Sequence, residues 1–126
     1  MQKEFIPYEL ALELKELGFN EPCVKAYTEE YKTLINVSNH TNTSIKNTLP
    51  TKPFTAPLYQ QAFRWFREKY NICGWVQESY FRGLKFHQYH ISRVKTLNVI
   101  SDLLESDYNQ AELECLKKLI EIVKNE

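Results

Sequence analysis

The chain is 126 residues long, 43% hydrophobic and 13% aromatic, with 16 Lys and Arg against 16 Asp and Glu, a composition that fits one globular domain and excludes a wholly disordered chain. No apolar run approaches the roughly 20 residues of a membrane span, and the opening Met1-Gln2-Lys3-Glu4-Phe5-Ile6-Pro7 lacks the apolar core of a secretory signal, so a cytoplasmic protein is expected. The charges cancel overall but are segregated: residues 38–100 hold nine of the sixteen cations and two of the sixteen acids, between flanks of net −3 and −4, which is a prior for an anionic partner.

The first predicted element is a helix over about 7–17, with Pro7 at its start, the apolar set Tyr8, Leu10, Ala11, Leu14 and Leu17, and Gly18 at the left-handed C-terminal position. Residues 23–28 and 31–37 read as two strands joined at Glu29-Glu30. Residues 38–56 are rich in Ser, Asn, Thr and Pro without a period and read as a long flexible loop. A second helix follows, with Thr55 as its cap and Tyr59, Phe63, Phe66 and Tyr70 as its stripe. Residues 72–79 and 84–94 read as a second pair of strands, with Arg82-Gly83 near their connection. The last helix starts after Asp107, with Gln110 at the capping-box spacing and a broad apolar face through Leu113, Leu116, Ile120 and Val123. Residues 95–106, with Leu97, Val99, Ile100, Leu103 and Leu104, are compatible with a strand end followed by a helical turn, without a signal that settles it.

The expected fold is therefore α+β, in the order helix, hairpin, helix, hairpin, helix. It forms one domain over 1–126, with an antiparallel four-stranded sheet and about three helices packed mainly on one face. Pro7 with Cys23 and Pro57 with Cys73 stand at one offset, which hints at a duplicated helix-hairpin unit.

Alternation along a strand sorts side chains onto two faces. That parity is taken to put Lys25, Tyr27, Trp75, Lys85, His87, Tyr89 and Arg93 on one surface away from the helices. Aromatic rings there would stack on a planar ligand while the cations meet phosphate oxygens. Arg64 and Arg67 lie one helical turn apart and would add a phosphate-binding face. The competing reading is a solvated sheet face, or one that pairs with a second copy.

No catalytic constellation emerges from the same residues. His87 and His90 are three apart, so a regular strand puts them on opposite faces, where they cannot chelate one ion. His90-Ile91-Ser92 is similar to the His-x-Ser/Thr element of two-histidine phosphoesterases, but His40-Thr41-Asn42 lacks the hydroxyl residue in place. Cys73 and His87 would meet across the hairpin without an orienting third group. Cys23, Cys73 and Cys115 are odd in number and widely spaced, which suggests reduced, mostly buried thiols with neither disulfide nor metal.

Three runs carry a resemblance. Residues 5–19, Phe5-Ile6-Pro7-Tyr8-Glu9-Leu10 through Lys15-Glu16-Leu17-Gly18-Phe19 and on to Glu21-Pro22-Cys23, are the first. The second is 55–70, from Thr55-Ala56-Pro57 through Arg64-Trp65-Phe66-Arg67-Glu68-Lys69-Tyr70, and the third is 111–122, from Ala111-Glu112-Leu113 to Glu121-Ile122. Together they resemble a family of small uncharacterised proteins common in Bacteroidetes and in bacteriophages. The resemblance implies a phage or mobile-element setting, with the host cytoplasm as the site of action, and no assigned chemistry.

The expected function is thus binding without catalysis and without a cofactor. The first expectation is capture of a nucleotide-like anionic small molecule, such as a host defence signal, by Arg64, Arg67, Trp75, Lys85, His87, Tyr89 and Arg93. A protein-binding inhibitor of a host protein, using the aromatic surface or the 38–56 loop, is the alternative; a single-stranded nucleic-acid binder is another. Self-association into a homodimer or higher oligomer is compatible with all three.

Overall fold

The computed structural model describes residues 4–30, 32–46, 52–93, 97–101 and 105–126. The chain is α+β, but the expected single four-stranded sheet is not formed: among the described residues the strands make two separate three-stranded antiparallel sheets, and there are four helices. The chain divides into two compact units, Met1–Leu58 and Tyr59–Glu126. Each hairpin is completed by a third strand of its own unit.

In the first unit, α1 (Tyr8–Glu16) buries Leu10, Ala11 and Leu14, with Pro7 and Leu17 as its caps and Gly18 at φ +99°. Gly18 thus takes the left-handed position that ends many helices. Strands β1 (Cys23–Tyr27) and β2 (Leu34–His40) pair through a bulge at Cys23/Lys25, and β3 (Phe54–Thr55) adds to the other edge of β1, giving the order β2-β1-β3. The segment read as a loop therefore contains the end of β2, the short helix α2 (Asn42–Ile45) and β3; its residues 47–51 lie outside those described. Helix α2 holds its place through polar side chains. Thr41 and Ser44 form a capping box, and Asn42 donates to the Phe19 carbonyl while accepting from the Thr55 N–H. The first core is closed by Tyr8, Tyr27 and Phe54, whose rings lie 5.1–6.1 Å apart, with the Tyr27 hydroxyl donating to the Ile6 carbonyl.

The second unit opens with α3 (Tyr59–Tyr70), whose Tyr59, Ala62, Phe63, Trp65 and Phe66 are buried as the stripe predicts. Thr55 is not its cap, because it is a buried residue of β3. Strands β4 (Cys73–Phe81) and β5 (Leu84–Arg93) form an unbroken hairpin, and β6 (Leu97–Ile100) pairs with β5, giving the order β4-β5-β6. That places a strand in the 95–106 segment; residues 94–96 and 102–104 lie outside those described. Helix α4 (Tyr108–Lys124) is capped by Asp107, which accepts from the Asn109 N–H, while Gln110 turns to Glu114 instead of closing a capping box.

The units are not topological copies, against the hint of duplication. The third strand of the first joins the leading strand of its hairpin, and that of the second joins the trailing strand. No helix among the described residues is long and apolar enough to cross a membrane.

Candidate functional site

The β4–β5 register decides which side chains meet. Arg82 and Gly83 both have positive φ, +51° and +77°, and form a two-residue turn closed by the pair Phe81 and Leu84. Such a turn matches the twist of a hairpin but favours Asn or Gly at its first position, so Arg82 sits in a conformation that side chains ordinarily avoid. Counting back from it, Trp75 lies opposite His90, Val76 opposite Tyr89 and Glu78 opposite His87.

One face of the sheet therefore carries Gly74, Val76, Glu78 and Tyr80 with Lys85, His87, Tyr89, Ile91 and Arg93. Helix α4 packs on this face. A Cβ on Gly74 would lie 2.8 Å from Leu119 Cδ1 and 3.1 Å from Cys115 Sγ, so the missing side chain lets the helix approach. His87 is buried against the edge of the Tyr108 ring at 5.5 Å, and Arg93 is ion-paired with Glu126 at the end of α4. Lys85 pairs with Glu78 at 3.0 Å. Both cations are thus ion-paired inside the unit, and the imidazole is buried with its Nδ1 lacking a hydrogen-bond partner among the described residues.

The other face carries Trp75, Gln77, Ser79 and Phe81 with Leu84, Phe86, Gln88, His90 and Ser92, and then Asn98 and Ile100 of β6. Here the indole of Trp75 stacks on the imidazole of His90, with centroids 5.2 Å apart and planes within 10°. Trp75 is 41% exposed, Phe81 55%, Leu84 62% and Ile100 49%, so this face presents large apolar groups to solvent. Arg82 lies over the Phe81 ring at 5.3 Å.

The seven expected site residues are accordingly not brought together. Lys85, His87, Tyr89 and Arg93 share the helix-covered face, Trp75 lies on the opposite one, and Arg64 and Arg67 are exposed on α3, where Arg64 approaches Glu68 at 4.0 Å. The assumed parity of β5 against β4 was off by one residue, which exchanges faces for a whole strand. Lys25 and Tyr27 belong to the other sheet, and Tyr27 is buried, its phenol pushed above the ordinary value by burial. His87 and His90 do lie on opposite faces. Cys73 pairs with Ser92, away from His87.

Phe81, Arg82, Leu84, His90 and Ile100 were missed as members of the open face. The signal that finds all but Ile100 is the Arg-Gly pair: read as a two-residue turn, it fixes the register of β4 against β5, whereas Ile100 joins through the separate pairing of β6 with β5.

Under α4 lies a second titratable group of side chains. Glu112 is buried, and burial pushes its carboxyl above the ordinary range; the nearby Cys115 thiol is pushed up to about 12, by burial first and then by Glu112. A carboxyl whose folded value is raised favours folding while protonated, and that contribution is lost as pH rises through the raised value. Glu112→Gln is therefore expected to raise the melting temperature at neutral pH, and the difference from wild type should vanish below about pH 4. Thermal unfolding of both proteins across that range checks it.

Among the described residues no group of three or more His, Cys, Asp or Glu side chains is placed to hold a metal ion. Comparison with protein-family models, curated proteins and solved structures gives no match to this chain.

Proposed function

We propose that this protein acts by binding without catalysis, and that the face of β4–β6 turned away from α4 docks a partner protein. The observation that carries this reading is two pairs of large apolar side chains on one face, Phe81 with Leu84 at the hairpin tip and Trp75 with Ile100 on either side of His90, all between 41% and 62% exposed, with Gln77, Ser79 and Gln88 between the pairs. Large apolar side chains grouped on the exposed face of a folded domain mark interaction sites, because their removal from water drives association. The hairpin end supports it further. Beyond His87, which bridges to Glu105, β5 has no described neighbour other than β4, so the pairs from Ser79/Phe86 to Phe81/Leu84 form a two-stranded ribbon. Its tip keeps Arg82 where Asn would fit better, a local cost of the kind found at functional sites.

The partner that suits this face offers an apolar groove with a carboxylate near its rim for Arg82, which makes no ion pair among the described residues. In the phage or mobile-element setting that the family resemblance implies, masking a host protein is the corresponding role. Phe81→Ser combined with Leu84→Ser should abolish retention of the partner by tagged protein while leaving the melting temperature within a few degrees, since both side chains are exposed. Equal retention of the same partner by the wild type and the double variant would remove the reading.

Capture of a nucleotide-like anion is the second reading, favoured by the half-exposed indole of Trp75 as a stacking platform. Quenching of fluorescence by nucleoside phosphates, lost in Trp75→Ala, would favour it over docking. A short single-stranded oligonucleotide in the same titration, with affinity falling steeply in salt, would point to nucleic acid instead.

A further inference from the structure

Among the described residues, backbone hydrogen bonding leaves one long edge of the second sheet unused. The His87 N–H donates to the Glu105 carbonyl, and the Tyr89 carbonyl accepts from the Ser101 N–H, so both residues of β5 direct their backbone groups away from β4. Their opposite numbers on β4, Glu78 and Val76, must by the antiparallel pattern direct theirs away from β5. Alternation extends this to Gly74 and Tyr80. None of the four has a backbone partner among the described residues.

Natural edge strands are protected by Lys, Pro, bulges or short length. β4 has none of these: it runs for nine residues, pairs with β5 in register from Cys73 to Phe81, and contains neither Lys nor Pro. Its one charge, Glu78, is matched by Lys85 from the next strand. Among the described residues no strand pairs with this edge, which is unbulged and close to neutral, although α3 packs against β4.

We propose that β4 pairs with β4 of a second copy of this chain, antiparallel about a two-fold axis at Gln77, joining the two sheets into one of six strands. The four open positions, 74, 76, 78 and 80, are symmetric about 77, so this axis alone brings all of them into hydrogen-bonded pairs, with about eight bonds across the seam. Gly74 then stands opposite Tyr80 of the second copy, and Val76 opposite Glu78. On the other side Trp75 faces Ser79, and the two Gln77 amides meet at the axis. No like charges stand directly opposite. The pairing also accounts for Tyr80, which is 71% exposed on the side of the sheet that α4 covers. It stands apart from the docking reading, which uses a face and not this edge.

Sedimentation velocity of the full chain tests it. The wild type is expected to be a dimer. Val76→Pro removes an N–H that points away from β5, so the hairpin should keep its circular dichroism while the dimer is lost. Gln77→Lys and Gln77→Glu place like charges at the axis and should each weaken the dimer about five-fold, whereas an equal mixture of the two should restore it. Leu84→Ser should leave sedimentation unchanged, which separates this outcome from failure of the docking face. A wild type that stays monomeric at every concentration, or a dimer indifferent to both charge variants and to a folded Val76→Pro, would overturn the proposal.

Discussion

Phe66→Ala is expected to destabilise the second unit by about 3–5 kcal/mol, a large part of the whole stability of a domain this size. Phe66 is fully buried, and its ring meets Trp65 edge-on at 5.1 Å and Tyr70 at 5.9 Å, so truncation removes transfer energy and opens a cavity that a helix and a twisted sheet cannot collapse to fill. Urea unfolding followed by far-ultraviolet circular dichroism measures it. A loss below about 1 kcal/mol would mean that α3 does not build this core.

Gly74→Ala is expected to cost about 1–3 kcal/mol through overpacking, although it adds one methyl group. The nearest neighbours of that methyl, Leu119 Cδ1 at 2.8 Å and Cys115 Sγ at 3.1 Å, belong to a helix whose Leu116, Leu119 and Ile120 are themselves buried, so neither is free to withdraw. Trp75→Ala at the next position should cost less stability, despite removing an indole, because that side chain points from the opposite face and is 41% exposed. The order of the two variants in thermal unfolding reports the register directly: the reverse order would place Trp75, not Gly74, beneath α4.

Local signals in the sequence were enough for the three longer helices. Pro7 and Gly18 bound α1, the Tyr59-Phe63-Phe66-Tyr70 spacing marks α3, and Asp107 caps α4, because caps and stripes are properties of neighbouring residues. The sheets were not legible in the same way. β3 has two residues and β6 four, too short for a period to show, and each exists because a distant strand accepts it: Ala26 pairs with Thr55, and Ile91 with Val99. Helix α2, inside the supposed loop, is one capped turn held by Asn42, whose two hydrogen bonds reach residues far away in sequence.

The expected grouping of the site residues on one face is absent for a narrower reason. Strand parity was right within β4 and within β5, and His87 and His90 fall on opposite faces as parity requires. What parity cannot supply is the relation between two strands, and a slip of one residue exchanged faces for Lys85, His87, Tyr89 and Arg93 against Trp75. The turn holds that information. Of the central positive charge, Lys85 and Arg93 are held by Glu78 and Glu126 and Arg64, Arg67 and Lys69 lie on α3, while the open face has Arg82 at its tip and mixes exposed apolar and aromatic side chains with neutral polar ones. Surface of that character favours a protein surface over a free anion.

Site-directed photocrosslinking tests the docking face most directly. A benzophenone analogue of phenylalanine at position 81 should form a covalent adduct with one partner protein in cells, and the same analogue at Lys117, exposed on α4, should not. Adducts of one partner at position 117 with none at position 81 would contradict the account.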